Sequence, residues 1–281
     1  MARPAPENHC ELWGDAALPG VLLMRADFTS QEFSPHVHDE MVIAVTEAGG
    51  AEFDSRGVND IAEAGTTLVF NPGEPHAGRM GRSARWRYRA FYLDGGALER
   101  LADDLEVPRS ALPGFCTNKL ADRDLSAALR GLHRATEGAD AKGGSLLGRQ
   151  SGLIAAMAEL YRRHGSPRPP GSVPGVERAC IARAVDYLRA HFAEAIVLDD
   201  LAALAGMSAF HFLRSFKKQV GLPPHAFLTQ LRLQQARKLL AQGVGQAETA
   251  AAVGFYDQPA LSRHFKKIYG VTPGQYARAV A

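Results

Sequence analysis

The sequence predicts a multidomain α and β protein. An N-terminal β-barrel with a helical extension is followed by an all-α domain of two tandem helix-turn-helix units. Three observations carry this. Short apolar runs broken by Gly, Asn and Pro fill residues 21–92, the pattern of an all-β sandwich or barrel. A stretch rich in Pro, Gly and Ser, RHGSPRPPGSVPG at 163–175, interrupts the chain. Beyond it a segment repeats: Arg214, Phe216, Lys217, Lys218, Gly221, Pro224 and Phe227 return 49 residues later as Arg263, Phe265, Lys266, Lys267, Gly270, Pro273 and Tyr276.

In chain order, strands are expected at Met41–Thr46, Thr66–Phe70 and Trp86–Tyr92. Turns are expected at Glu47–Gly50, Ser55–Asp60 and Asn71–Gly73, with Gly49-Gly50 closing a hairpin. From about Ala97 to Arg163 the period becomes helical. Leu146, Leu147, Gln150, Leu153, Ile154, Met157, Leu160 and Tyr161 share one face. That stripe reads as core packed on the barrel, or as a helix pair used for dimerisation. Pro in 164–175 removes backbone donors and biases its predecessors to extended geometry, so this stretch reads as a linker. The expected division is a barrel at 1–110, a helical dimerisation segment at 111–163, a linker at 164–175 and a nucleic-acid-binding domain at 176–281.

Composition limits the alternatives. No run approaches the ~18 consecutive apolar residues of a membrane span. The N-terminus lacks the basic and apolar blocks of a secretion signal. Cys10, Cys116 and Cys180 are widely spaced, which suits reduced thiols in a cytoplasmic protein and neither a disulfide framework nor a zinc ribbon. Charge is unevenly divided. From Gly175 onward there are 13 Lys and Arg against 7 Asp and Glu, while the rest of the chain holds 19 against 23. A basic C-terminal third suits contact with phosphate, although an uneven solvated surface gives the same count.

Each copy of the repeat is preceded by a short helix, Leu198–Ala205 or Gln246–Val253, and a glycine-containing turn. Ser208 and Asp257 then stand where a helix N-cap accepts a first-turn N–H. This is the helix-turn-helix order, whose second helix enters the major groove. The run Gly254-Phe255-Tyr-Asp257-Gln258, Arg263-His-Phe265-Lys266-Lys267, Gly270-Val-Thr-Pro273 and Tyr276 resembles the AraC/XylS family of transcriptional regulators over residues 176–280. The resemblance implies two units joined by a long central helix at Pro224–Gln242, inserted into successive major-groove faces. It further implies double-stranded promoter DNA, RNA polymerase and a second copy of the chain as partners, and an activator.

Helix geometry assigns the roles. Phe210, Leu213 and Arg214 in the first unit, and Gln258, Ser262 and Arg263 in the second, face the bases. The arginines suit guanine, Gln258 suits adenine, and Phe210 or Leu213 suits thymine methyl groups. Phe210 has a second reading as core, and the arginines have a second reading as phosphate clamps. Lys217, Lys218, Lys266 and Lys267 are assigned to phosphates, with a solvated face as the alternative. Pro259 stands where the family carries a polar side chain, which removes one base contact.

The other constellation is Pro35-His36-Val-His38-Asp39-Glu40 with Pro72-Gly73-Glu74-Pro75-His76. On a strand, His36, His38 and Glu40 share a face, and His76 on a return strand can join them. This spacing resembles the cupin superfamily over residues 20–93, including the sensor domains that precede this DNA-binding module. Metal-binding cupins place a Glu four or five residues beyond the second His, where this chain has Val42 and Ile43. No metal and no cofactor are therefore expected. His36, His38, Glu40, His76, Trp86 and Tyr88 are assigned to a small-molecule effector, with satisfied pocket-mouth histidines and core aromatics as the plainer readings. No phosphate loop, nucleophile elbow or dinucleotide fingerprint is present, so an enzyme is not expected. The rivals are a metal-dependent cupin enzyme with a DNA-binding tail and a ligand-independent regulator whose barrel only dimerises.

Overall fold

Alternating side chains and turn chemistry build the N-terminal half. The computed structural model describes residues 8–108, 110, 112–137, 145–166 and 176–280. The chain divides into two compact units around the stretch 167–175, which lies outside the described residues and contains most of the expected linker. Before that stretch, His164 ends a helix and Ser166 bridges Gly114.

The strands are β1 (His9–Gly14), β2 (Val21–Phe28), β3 (Glu32–His36), β4 (Met41–Ser55), β5 (Val58–Glu63), β6 (Thr67–Phe70), β7 (His76–Arg79), β8 (Trp86–Leu93) and β9 (Lys119–Leu120). One sheet runs β1-β2-β8-β4-β6-β9, while β5 and β7 pair with the far half of β4, and β3 pairs with β7. Strand β4 therefore serves both sheets. This corrects the expected turn at Glu47–Gly50: the register with β8 shifts between Thr46 and Ala48, a bulge, and the strand continues. Gly49 permits the bend at φ +68°, where a Cβ would stand 1.7 Å from the Arg85 carbonyl oxygen. The hairpin turn lies further on, at Arg56-Gly57, both at positive φ between the paired Ser55 and Val58.

The pleat then sorts the side chains. Met41↔Leu93 and Ile43↔Phe91 face outward, and Val42↔Tyr92, Ala44↔Ala90 and Thr46↔Tyr88 face the interior. Against the outer face pack α1 (Gly95–Asp104), α2 (Arg123–Ala135) and α3 (Leu146–His164), burying Leu98, Leu129, Met157 and Leu160 with Ile43, Phe91 and Leu93. Each such side chain contributes about 1.5–3 kcal/mol. Buried side chains from Leu112 to Leu132 and from Ala156 to Tyr161 thus share the barrel's core. The α3 stripe is buried only in its second half: Met157, Leu160 and Tyr161 are inside, while Leu146 and Leu147 are 54% and 70% exposed.

A polar clamp also holds α2. Buried Arg89 donates to Glu47, Glu137 and Nδ1 of His133, so that ring carries its proton on Nε2 and donates it to the Met24 carbonyl at 3.1 Å. Burial first, and then the Arg89 charge, push the His133 pKa down to about 4, so the ring stays neutral.

The second unit is helical, as expected: α4 (Val176–Ala190), α5 (Leu198–Ala205), α6 (Ala209–Val220), α7 (Pro224–Ala241), α8 (Gln246–Ala252), α9 (Gln258–Tyr269) and α10 (Pro273–Val280). Ser208 Oγ accepts from the His211 N–H at 3.4 Å, and Asp257 Oδ1 from the Ala260 N–H at 2.6 Å. Both expected N-caps are in place. Pro259 falls in the first turn of α9, where its missing N–H costs no helical bond. Asp257→Ala is expected to lower the stability of this unit by about 1 kcal/mol, read by urea melting.

The two helix-turn-helix halves are tied across α7. Arg232 Nε donates to the Phe192 carbonyl at 2.8 Å and Nη2 to the Glu194 carbonyl at 2.9 Å, pinning the loop after α4. Gly254, at φ +81° in the second half, lies so close that a Cβ would be 2.4 Å from the Ala193 carbonyl oxygen.

Candidate effector site and nucleic-acid interface

The periodicity of α6 and α9 decides what each presents. Phe212, Ser215 and Phe216 are buried on α6, as are Leu261, Phe265 and Ile268 on α9. The opposite faces carry Phe210, Leu213, Arg214, Lys217 and Lys218 in the first unit, all exposed. In the second, Gln258, Arg263, Lys266 and Lys267 are exposed and Ser262 is half-buried. The core reading of Phe210 falls: it is 70% exposed, because Phe212 and Phe216 already fill the core. Its ring instead supports the Arg214 guanidinium, 5.7 Å from the ring centroid. Each face thus combines an arginine and two lysines with neighbours able to read base edges. Sequence reasoning passed over Tyr256, 98% exposed in the turn before α9.

In the barrel, His36 closes β3 and His76 opens β7, while His38 lies in the connection before β4. The three imidazoles come together, with one ligand atom from each inside 4.8 Å of the others, and all three are buried. The expected shared strand face is not the cause, since β3 ends at His36; the loop turns His38 inward. Glu40, also buried, lies outside this group, because residues 39–40 bend away from strand geometry.

The rings are held in place. His36 Nδ1 donates to the Ser34 carbonyl at 2.7 Å and His76 Nδ1 to the Glu74 carbonyl at 2.9 Å. His76 stacks on Phe70 at 4.0 Å, and His38 meets Tyr92 edge-on at 5.5 Å. Burial pushes the His76 pKa down to about 4, against the opposing pull of the Glu74 carbonyl and carboxylate, and leaves a neutral imidazole.

Trp86 and Tyr88 lie on the interior face of β8, stacked at 4.2 Å, with Phe28 beside them and Trp86 Nε1 directed at Thr46. Tyr92, two pleats along the same face from Tyr88, meets His38.

Glu74 is the residue whose importance the sequence concealed. Its carboxylate is 8% exposed and accepts from Ser55, Arg56, Asn71 and Asn118. Burial alone raises its pKa, but these donors outweigh burial and hold it at about 2. It fixes the turn that delivers His76. The sequence displayed it inside Pro-Gly-Glu-Pro-His, but its partners come from three separate stretches.

Residues 18–156 match the AraC-like ligand binding domain family, and residues 201–279 match a helix-turn-helix domain family. An uncharacterized HTH-type transcriptional regulator of Bacillus subtilis, YbfI, is 30% identical over 81% of this chain and 81% of its own length. The chain belongs to the AraC family of transcriptional regulators. The HTH-type regulator MtrA of Neisseria gonorrhoeae is 42% identical over 82 residues, 29% of this AraC-type chain and 27% of MtrA. In fold, it matches the fatty-acid-bound crystal structure of ToxT from Vibrio cholerae with a TM-score of 0.52, at 11% identity over 97% of this chain and 94% of that one. The regulator accordingly pairs a ligand-binding domain with a DNA-binding one. Among its described residues no helix is long and apolar enough to cross a membrane.

Proposed function

We propose that this regulator is a promoter-binding activator whose operator occupancy is set by a small molecule held in the barrel, and that it works as a homodimer with RNA polymerase as its target. The observation that carries this is the pairing, in one chain, of a barrel lined by oriented, buried imidazoles with two basic, exposed recognition faces. Arg214, Arg263 and Gln258 read bases with Phe210, Leu213 and Ser262, while Lys217, Lys218, Lys266 and Lys267 hold phosphates. ToxT, similar in fold, carries an unsaturated fatty acid, which supports the sensing role at the level of fold. The exposed Leu146 and Leu147 support the dimer. They begin α3 beside a groove of small residues between α2 and α3, about 740 Å³ in volume and lined by Ala128, Gly131 and Gly152.

A ligand shifts such a regulator only by binding its two arrangements unequally. The test is a melting-temperature panel on the full chain with amino acids, sugars, aromatic acids and fatty acids, followed by operator binding with any hit. A ligand that raises Tm and changes operator affinity is expected. A flat panel from a folded, DNA-binding chain would favour the regulator whose barrel only dimerises. Turnover of a hit would favour the enzyme.

A further inference from the structure

We propose that the outer face of the barrel carries a ligand site of its own, for the phosphate group of a small anionic molecule, built by Arg25, Arg87, Arg89 and Arg134. It lies outside the barrel interior and stands independently of the sensing role given above.

The pleat assembles the arginines. Leu23↔Phe91 belongs to the apolar outer face that the helices cover, and the next pairs along β2 and β8 on that face are charged. Arg25 stands directly opposite Arg89, and Asp27 opposite Arg87. The bulge in β4 leaves Glu47 without a partner residue on β8, and α2 supplies Arg134 in its last turn. These side chains, with His9 of β1, line a recess of about 270 Å³.

Like charges opposed across two strands are unfavourable by themselves. The carboxylates nearby do not match the guanidiniums one for one. Glu47 accepts from both Arg89 and Arg134 at 2.8 Å. Glu137 accepts from Arg89 and lies 3.6 Å from Arg25. Asp27 accepts from Arg85 and, at 3.3 Å, from Arg87. With Glu11 on Arg25, four carboxylates serve five guanidiniums among the described residues. Donors are in surplus too. Arg87 uses only Nε on a protein group and Arg134 only Nη2, among the described residues. Both Nη nitrogens of Arg87 and Nη1 of Arg134 therefore serve a ligand at no loss of a protein bond. Arg89, 5% exposed and bonded to Glu47, Glu137 and His133, is fixed in place beside them.

The donors select the ligand. Guanidinium forks match phosphate and carboxylate oxygens, are always charged and shed water readily. Forks from two strands and a helix around one recess favour the group with more charge and more acceptors. A phosphate monoester brings a charge of about −1.5 to −2 and three strong acceptor oxygens. The recess is smaller than the roughly 300–1,000 Å³ of sites for drug-sized ligands, so it suits a phosphate on a small remainder.

The test is isothermal titration calorimetry of the full chain at low ionic strength, with inorganic phosphate and with glycerol 3-phosphate, glycerol serving as control. About one equivalent per chain is expected, with a higher Tm at saturation. Arg87→Gln and Arg134→Gln are each expected to weaken binding about tenfold or more, the effect of losing a charge-assisted hydrogen bond. Arg162→Gln, on the exposed side of α3 and paired with Glu159, is expected to leave it unchanged. Both test arginines lie outside the apolar core. Should either variant fail to fold, competition on the wild type decides, because chloride at matched ionic strength is expected not to displace phosphate. No binding, equal displacement by chloride, or unchanged affinity in both folded variants would overturn the site and leave the regulator reading standing. Weaker operator binding by Arg87→Gln in a chain that binds no phosphate would overturn it in favour of a DNA backbone contact. Tighter binding of glycerol 3-phosphate than of inorganic phosphate would support a phosphorylated metabolite as the ligand, and the reverse would support free phosphate.

Discussion

Arg263→Ala is expected to weaken binding to the cognate operator by about 10- to 100-fold while leaving the helical content and Tm of the protein unchanged. The magnitude is that of a bidentate guanine contact, about 1–3 kcal/mol. The fold tolerates the change because Arg263 is exposed and the core face of α9 is carried by Leu261, Phe265 and Ile268. The test is fluorescence anisotropy on cognate and scrambled duplexes. A base-reading arginine loses its effect on scrambled DNA. An equal loss on both duplexes would return Arg263 to a phosphate clamp. Lys266→Ala provides the contrast: a similar loss on every sequence and a salt slope shallower by about one.

Glu74→Ala is expected to destabilise the N-terminal unit by about 3 kcal/mol, because four polar side chains converge on this one carboxylate. In a unit of this size that lowers Tm by roughly 6–12 °C, read by calorimetry. The pH dependence follows from the depressed pKa. The stabilisation is complete above the ordinary value of 4.5 and is lost as pH falls toward about 2, where the folded-state carboxylate takes its proton. Wild type and variant should therefore converge in stability below pH 4.5. A gap that stays constant to pH 2 would mean that packing, not charge, explains the loss.

The two halves of this protein were not equally legible. In the C-terminal unit the information is local. Caps, breakers and a 3.6-residue period fix each helix, so Ser208, Asp257 and the exposed arginines could be placed from the sequence. In the barrel the information is spread across strands. The Glu47–Gly50 segment carries the residues of a turn, yet β4 runs through it, because the pairing with β8 outweighs local preference. Glu40 was placed by alternation, which holds only while a strand lasts, and β3 ends at His36. Glu74 and Tyr92 acquire their meaning from partners far along the chain, which a local reading does not see.

The tie between Arg232 and the loop after α4, with Gly254 pressed on Ala193, has a consequence for the genome and not only for the protein. Two reading heads held at one separation cannot adjust to the duplex, so under the proposed function a duplex engaged by both would have to bend or twist to meet them. Such deformation costs about 1–6 kcal/mol for a site of 20–30 base pairs and depends on the steps being deformed. Base pairs lying between the two recognition helices, touched by no side chain, are then expected to enter the operator code: flexible TA or CA steps there would count as part of the site, and a stiff A-tract in the same place would weaken an otherwise perfect match.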